Sequence, residues 1–487
     1  MTPEEILDAA ISADTAPAAR LRSVGPDDDA PPVRAVKLSE IDLADSWVSR
    51  FGNSWRYVRE WDRWFEWRQG DSAGWFEDTT GAVRASAVSL LREVESWPDI
   101  QSLTASQRRK LASSGSVAAV VGLAGVHRAV ATSAAQWDAH TMLLGVPGGT
   151  VDLESGEFFT PDPLEYITKR CSVAPEEGEP VLWLRHLELV LQGDRELIDY
   201  LQRWCGYCLT GEVGEHAMLM GIGTGANGKS VIFDTLTAIF GDYAYAAPVN
   251  LLMESRTERH PTELAILQGK RLVLCSEPPQ GARWDDGRLK ALTGDAKLTA
   301  RRMNQDLSTF AVTHKLNVMG NHMPVLRSVD EAIRRRVNLL QFRHTIPAAE
   351  RDPNFMDKLR AEHGQILQWC IDGCREWRRT GLQRPDSMAA NTAEYLADED
   401  TMQQFIEECC DREPTAFDTL AVLFRAYGAW CERVGEKAVG RKAFKAALRD
   451  TPGVTRNRVA GDAVQGLAVK EAHRATTHDA PSRWSAD

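Results

Sequence analysis

Gly221-Ile-Gly-Thr-Gly-Ala-Asn-Gly-Lys-Ser230 is the stretch whose reading decides the fold. From Gly223 it runs Gly-x-x-x-x-Gly-Lys-Ser, the spacing of a phosphate-binding loop. Before it, His216-Ala-Met-Leu-Met220 is a short apolar run that suits a buried strand. After it, Ile232, Phe233, Leu236, Ile239 and Phe240 fall at helical spacing. Strand, glycine loop and helix are the context the motif needs. Glycines let several backbone N–H groups converge on one phosphate, and the helix N-terminus adds the positive end of its dipole. Gly223, Gly225, Asn227, Gly228, Lys229, Ser230 and Val231 are then the nucleotide-binding residues. Lys229 reaches the β- and γ-phosphates of ATP, and Ser230 ligates Mg²⁺. The alternative is a glycine-rich turn without a ligand.

Downstream, Lys270-Arg-Leu-Val-Leu-Cys-Ser-Glu277 is an apolar strand ending in an acid. Glu277 is the expected partner of Ser230 on the metal and of the attacking water, alone or helped by Asp285 or Asp286. His314-Lys-Leu-Asn-Val-Met-Gly-Asn321 is a second such strand, and Asn321 can hold the water, sense the γ-phosphate or only cap the turn. Between them, Arg288 to Arg302 carries five basic residues against one acid. This is a grip on a phosphate backbone or a solvated helix and hairpin. Arg334, Arg335 and Arg336 form a cluster for which an anion is the natural partner, with pairing to Asp330 and Glu331 as the plain alternative.

The order of these pieces resembles the superfamily 3 helicases, in particular the phage and plasmid primase–helicase group. It is carried by Gly223 to Ser230, Lys290-Ala-Leu-Thr-Gly-Asp295, Gly320-Asn-His-Met-Pro324 and Ala332-Ile-Arg-Arg-Arg336. Upstream, Gly149-Thr-Val-Asp-Leu-Glu-Ser-Gly-Glu157 and Tyr166-Ile-Thr-Lys169 resemble the domain that precedes the ATPase in that group. The resemblance implies an AAA+-like P-loop ATPase, an α/β fold, in a homo-oligomeric ring, usually a hexamer. It implies translocation 3′ to 5′ on single-stranded or forked DNA, gripped by the hairpin at Lys297, Arg301 and Arg302. Arg335 or Arg336 would complete the ATP site of the neighbouring subunit. A separate primase or polymerase is a further partner of such a machine. An ATP-switched origin-binding initiator or loader, and a nucleotide-binding ring that does not unwind, are the alternatives.

The domains expected are a tail at 1–40, an α+β domain at 41–190, the ATPase at 191–350, helices and a linker at 351–400, a winged helix at 401–475 and a tail at 476–487. Tryptophans around Gln69-Gly-Asp-Ser-Ala-Gly74 point to a hairpin packed in a core, in preference to exposed rings that stack on bases. In the winged helix, Arg441 and Lys442 head a basic helix face suited to DNA phosphates or simply solvated. Fewer than about 45 residues precede the recognisable region, too few for a primase domain, so self-contained primer synthesis is not expected.

The net charge of −12 disfavours a protein that coats nucleic acid nonspecifically but permits local basic sites. No apolar run has the length of a membrane span, and the N-terminus lacks a secretory pattern, so a cytoplasmic location in a bacterial host is expected. Nine irregularly spaced cysteines do not make a disulfide framework. Trp204-Cys-Gly-Tyr-Cys208 has the spacing of a redox motif, yet Ile198, Leu201, Trp204, Cys205 and Cys208 share one helix face and read as core. His363, Cys370 and Cys374 likewise share a face and lack a fourth ligand for zinc.

Overall fold

The computed structural model describes residues 39–474, apart from 71–72, 98–99, 101–103, 255–261, 277–282, 302–306, 322–330, 399–400, 436–437, 452 and 458–461. The chain divides into two compact units: residues up to Trp55 with Thr79–Ala131, and Arg56–Asp78 with Thr132 onward. The single domain expected over 41–190 is thus split between them. Thr79–Ala131 falls in the first unit, and Arg56–Asp78 with the stretch from Thr132 onward, including the helix Val181–Val190, falls in the second.

The first unit is helical, with α1 (Glu40–Phe51), α2 (Ala82–Val94), α3 (Ala105–Leu111) and α4 (Ser114–Val126). Ser39 opens α1 with a capping box closed by Asp42. Trp47 of α1 is fully buried and donates its indole N–H to Ser86 of α2 at 2.9 Å.

The second unit opens with β1 (Trp55–Val58, its first residue in the helical unit), β2 (Arg63–Arg68) and β3 (Gly74–Glu77), joined by β4 (Ala131–Thr132) in the order β3-β2-β1-β4. The expected hairpin is β2 against β3, antiparallel, with Trp67 opposite Trp75. Its rings face inward: Phe65, Trp75 and Trp137 form a buried cluster with Val58. A second small antiparallel sheet, β5 (Leu143–Val146), β6 (Gly149–Asp152) and β7 (Phe158–Phe159), holds the Gly149 motif.

Helices α5 (Val181–Val190) and α6 (Arg195–Leu209) lead into the main sheet. Its strands are β8 (Met218–Ile222), β9 (Ala244–Ala247), β10 (Leu272–Ser276), β13 (Lys315–Gly320) and β14 (Val337–Gln341), all parallel, in the order β14-β8-β13-β10-β9. Helices cover both faces, as a parallel sheet requires. Among them are α7 (Lys229–Phe240), α8 (Asp286–Gly294) and α9 (Glu331–Arg336). A separate antiparallel hairpin, β11 (Lys297–Arg301) and β12 (Leu307–Ala311), interrupts the sheet crossovers.

After β14 come α10 (Phe355–Arg360), α11 (His363–Thr380) and α12 (Asp386–Asp398). Helix α11 crosses α6 so closely that a Cβ on Gly206 would collide with the backbone of Gly373 and Cys374. The cysteines lie at this crossing. Cys205, Cys208, Cys370 and Cys374 are all buried, and burial pushes Cys374 up to about 12, far from a reactive thiolate. The C-terminal end of α6 is capped by two buried cations. Lys315 donates to the carbonyls of Thr210, Glu212 and Thr313, and Arg271 to those of Leu209, His140 and Leu143. The negative end of the α6 dipole favours both groups there, although burial pulls the Lys315 pKa down to about 7.

The C-terminal segment has its own apolar cluster around Phe405, Leu423, Tyr427 and Phe444. It contains α13 (Thr401–Cys409), β15 (Cys410–Asp411), β16 (Phe417–Thr419), α14 (Leu420–Val434), α15 (Arg441–Asp450), β17 (Thr455–Asn457), β18 (Ala463–Gln465) and β19 (Ala468–Val469). The three helices and following hairpin expected from the sequence are present, with β16 as an added third strand beside β18.

Candidate nucleotide-binding site

Strand β8 is buried along its whole length and lies between β14 and β13. In an open parallel sheet, ligands gather at the carboxyl ends of strands where the connections diverge. Here the chain leaves β8 for the far edge at β9, returns through β10 and β13, and then crosses to β14. The Gly223–Gly228 loop stands at the carboxyl end of β8.

Gly228, at φ 77°, turns the chain into α7. An L side chain would be strained in that conformation. Gly228 has no side chain to cap α7, and the first N–H of the helix, that of Lys229, donates to the Asn227 side-chain oxygen at 3.5 Å. Lys229 is buried and folds back over the loop. Its Nζ donates to the Asn321 side-chain oxygen at 2.7 Å and to the Gly223 carbonyl at 3.2 Å. Asn321 follows β13 directly, and Gly320 pairs with Ile222, so adjacent strands deliver the two side chains to one point.

Asn227 is also buried, and its amide donates to the Phe342 carbonyl at 3.3 Å. The backbone past β14 braces the same loop, with Ile346 N–H donating to the Ala226 carbonyl at 2.8 Å. From the other side, the imidazole Nε2 of His186 on α5 lies 3.0 Å from the Gly228 carbonyl oxygen. Ser230 is exposed in the first turn of α7, and Val231 is half-buried against the main core. The loop therefore has the shape to take an anion: a helix start, a buried ammonium, and backbone held back by α5 on one side and by the chain past β14 on the other.

The other expected residues are placed less uniformly. Glu277 and Arg302 lie outside the described residues; Ser276 ends β10, one strand beyond β13. Asp285 is occupied as the cap of α8, accepting from Arg288 N–H at 3.0 Å. Arg336, one of the expected pair of candidate fingers, points inward. It is buried, its Nε donating to Thr293 Oγ1 at 3.0 Å and its Nη1 to the Ala332 carbonyl at 2.8 Å, so it is engaged within its own chain. Arg335 is exposed. On the hairpin, Lys297, Thr299 and Arg301 are exposed along one face while Leu298 and Ala300 are buried on the other. Arg441 and Lys442 are exposed at the start of α15.

His186, Phe342 and Ile346 were not singled out in the sequence. His186 falls at helical spacing with Trp183, Leu187 and Val190, all buried, and so reads as core. The other two act through backbone atoms, which no residue type signals.

Comparison with known proteins adds family evidence to this geometry. Residues 44–192 match the family described as D5 N terminal like. Residues 221–336, spanning the loop, Asn321 and the arginines, match a family of unknown function. A mimivirus protein (Acanthamoeba polyphaga mimivirus) named as a helicase is 25% identical over 292 residues, 55% of this chain and 30% of its own. A helicase-named protein of frog virus 3 is 25% identical over 314 residues, 58% of this chain and 30% of its own. A primase-named protein of African swine fever virus is 23% identical over 330 residues, 60% of this chain and 33% of its own. The chain thus spans about a third of the length of these relatives. A solved structure titled as the apo C-terminal region of NrS-1 covers 87% of this chain and 88% of its own at 12% identity, with a TM-score of 0.44. By the D5-type match and these relatives, the chain is similar to viral proteins named as helicases and primases. Those relatives come from eukaryotic viruses, so the expectation of a bacterial host rests on the motif resemblance alone. Among the described residues no helix is long and apolar enough to cross a membrane.

Proposed function

We propose that the chain is an ATP-driven DNA motor of the superfamily 3 helicase type, working as a ring. The observation that carries this reading is the 2.7 Å contact of Lys229 with Asn321 across adjacent parallel strands. It joins a phosphate-loop cation to a polar amide at the place where a γ-phosphate and its attacking water would meet. ATP is held by the backbone N–H groups of residues 223–230 and by Lys229. Ser230 and Glu277 hold Mg²⁺, which neutralises charge on the phosphates. Asn321 orients water. Arg335 of a neighbouring copy reaches the γ-phosphate, and the exposed face of β11 meets the phosphates of single-stranded DNA. Arg441 and Lys442 add a second DNA contact from a winged-helix-like segment.

Lys229→Ala is expected to reduce ATP turnover by at least three orders of magnitude, measured with and without single-stranded DNA. Ordinary turnover in that variant would sink the assignment. An unwinding assay on forked DNA separates a helicase from an initiator that uses ATP only to assemble. Helicase and primase are names of relatives of which this chain spans a third, and primer synthesis is not part of this proposal. Ribonucleotide incorporation by the purified chain would overturn that exclusion.

A further inference from the structure

The loop's last peptide group is held from outside the ATPase core. His186 is buried on α5, its ring packed beside Phe355 with centroids 5.2 Å apart. A Cβ on Gly228 would come within 2.6 Å of this ring and 2.5 Å of Val190, so α5 lies flush against the loop. A carbonyl oxygen only accepts, so Nε2 must carry the hydrogen that it shares with Gly228 at 3.0 Å. Burial also favours the neutral ring.

The peptide group is planar and trans, so its C=O and N–H point in opposite directions. Holding the Gly228 oxygen toward α5 turns the Lys229 N–H away from α5 and into the loop, where it donates to the Asn227 side-chain oxygen at 3.5 Å, a long bond that a phosphate oxygen can replace. This N–H is a donor the phosphate loop needs. The glycine before it gives the peptide little resistance to flipping. We infer that His186 is a positioning residue for the nucleotide: it fixes the Gly228–Lys229 peptide with its N–H aimed at phosphate. The D5-type region, residues 44–192, then ends in a wall of the nucleotide site rather than in a separate domain. This rests on the nucleotide reading above.

The test is binding of a fluorescent Mg²⁺–ADP analogue to the full chain and to three variants. His186→Gln can place an amide N–H near the position of Nε2. His186→Asn carries the same donor on a shorter arm, and His186→Leu has none. Losing one oriented donor is expected to weaken binding about tenfold in Leu and Asn, while Gln stays within about threefold of the parent chain. The Gln–Asn pair differs by one methylene and separates reach from packing even if Leu folds poorly. Equal affinity in all three variants, or equal weakening in all three, overturns the inference. A parent chain that does not bind the probe overturns the nucleotide reading itself.

Discussion

Arg335 and Arg336 were left as alternatives by the sequence, and the fold separates them by helix geometry. Successive residues of α9 point about 100° apart, and residues three apart share a face. Ile333 is fully buried, so Arg336 follows it into the core, while Arg335 faces out. The signal was present in Ile333; what hid it was the habit of reading arginine as surface. The two positions should therefore fail differently. Arg336→Ala removes charged hydrogen bonds to Thr293 and Ala332 and should cost about 2–3 kcal/mol in stability, visible in denaturant unfolding. Arg335→Ala should leave stability within about 0.5 kcal/mol and nucleotide binding intact. It should lower ATP turnover of the assembled ring by roughly 10³-fold. Loss of nucleotide binding by single subunits of Arg335→Ala would show that this arginine acts within its own chain.

The central strands of the main sheet were legible because a parallel sheet covered on both faces writes itself as apolar runs, as in Met218–Ile222 and Leu272–Ser276, whereas the short, alanine-rich edge strand Ala244–Ala247 was not. Nor were the polar residues at the ends of the central strands. His314 and Lys315 begin the strand that delivers Asn321, yet each is only 2% exposed. Lys315 is there to meet the end of α6, which could not be foreseen without knowing which helix end arrives. His314 is buried beside Lys315, and burial, with the Lys315 charge, holds its pKa at about 4, against 6.5 in an open chain. The folded state therefore resists a proton that the unfolded chain accepts. Stability should be insensitive to this group above pH 6.5 and fall by about 3 kcal/mol as pH drops from 6.5 to 4. His314→Leu should flatten that part of a melting-temperature profile, to which His186 and His363, also lowered by burial, contribute less. A profile of unchanged slope in the variant would show that the acid sensitivity lies elsewhere.

For the whole molecule, the strand order β14-β8-β13-β10-β9 is what the sequence could not supply, since the strands carry no mark of their neighbours. The loop motif was legible; its contact with Asn321 depended on that order, and its support by His186 on a helix 42 residues earlier. Charge poses the corresponding problem for DNA. A chain of net charge −12 repels a polyanion at long range, so binding must come from local cations at close contact. The exposed face of β11 offers Lys297 and Arg301 on one side of a strand whose other side is anchored by Leu298 and Ala300. If both cations meet phosphates, Lys297→Ala with Arg301→Ala should leave ATP turnover without DNA unchanged and weaken single-strand binding. It should also reduce the slope of log affinity against log salt by about 1.4, at roughly 0.7 for each phosphate contact on a single strand. An unaltered slope with weakened binding would mean that the hairpin acts through shape. An unaltered affinity would move the DNA contact to Arg441 and Lys442 on α15, where the same pair of substitutions should then produce the loss.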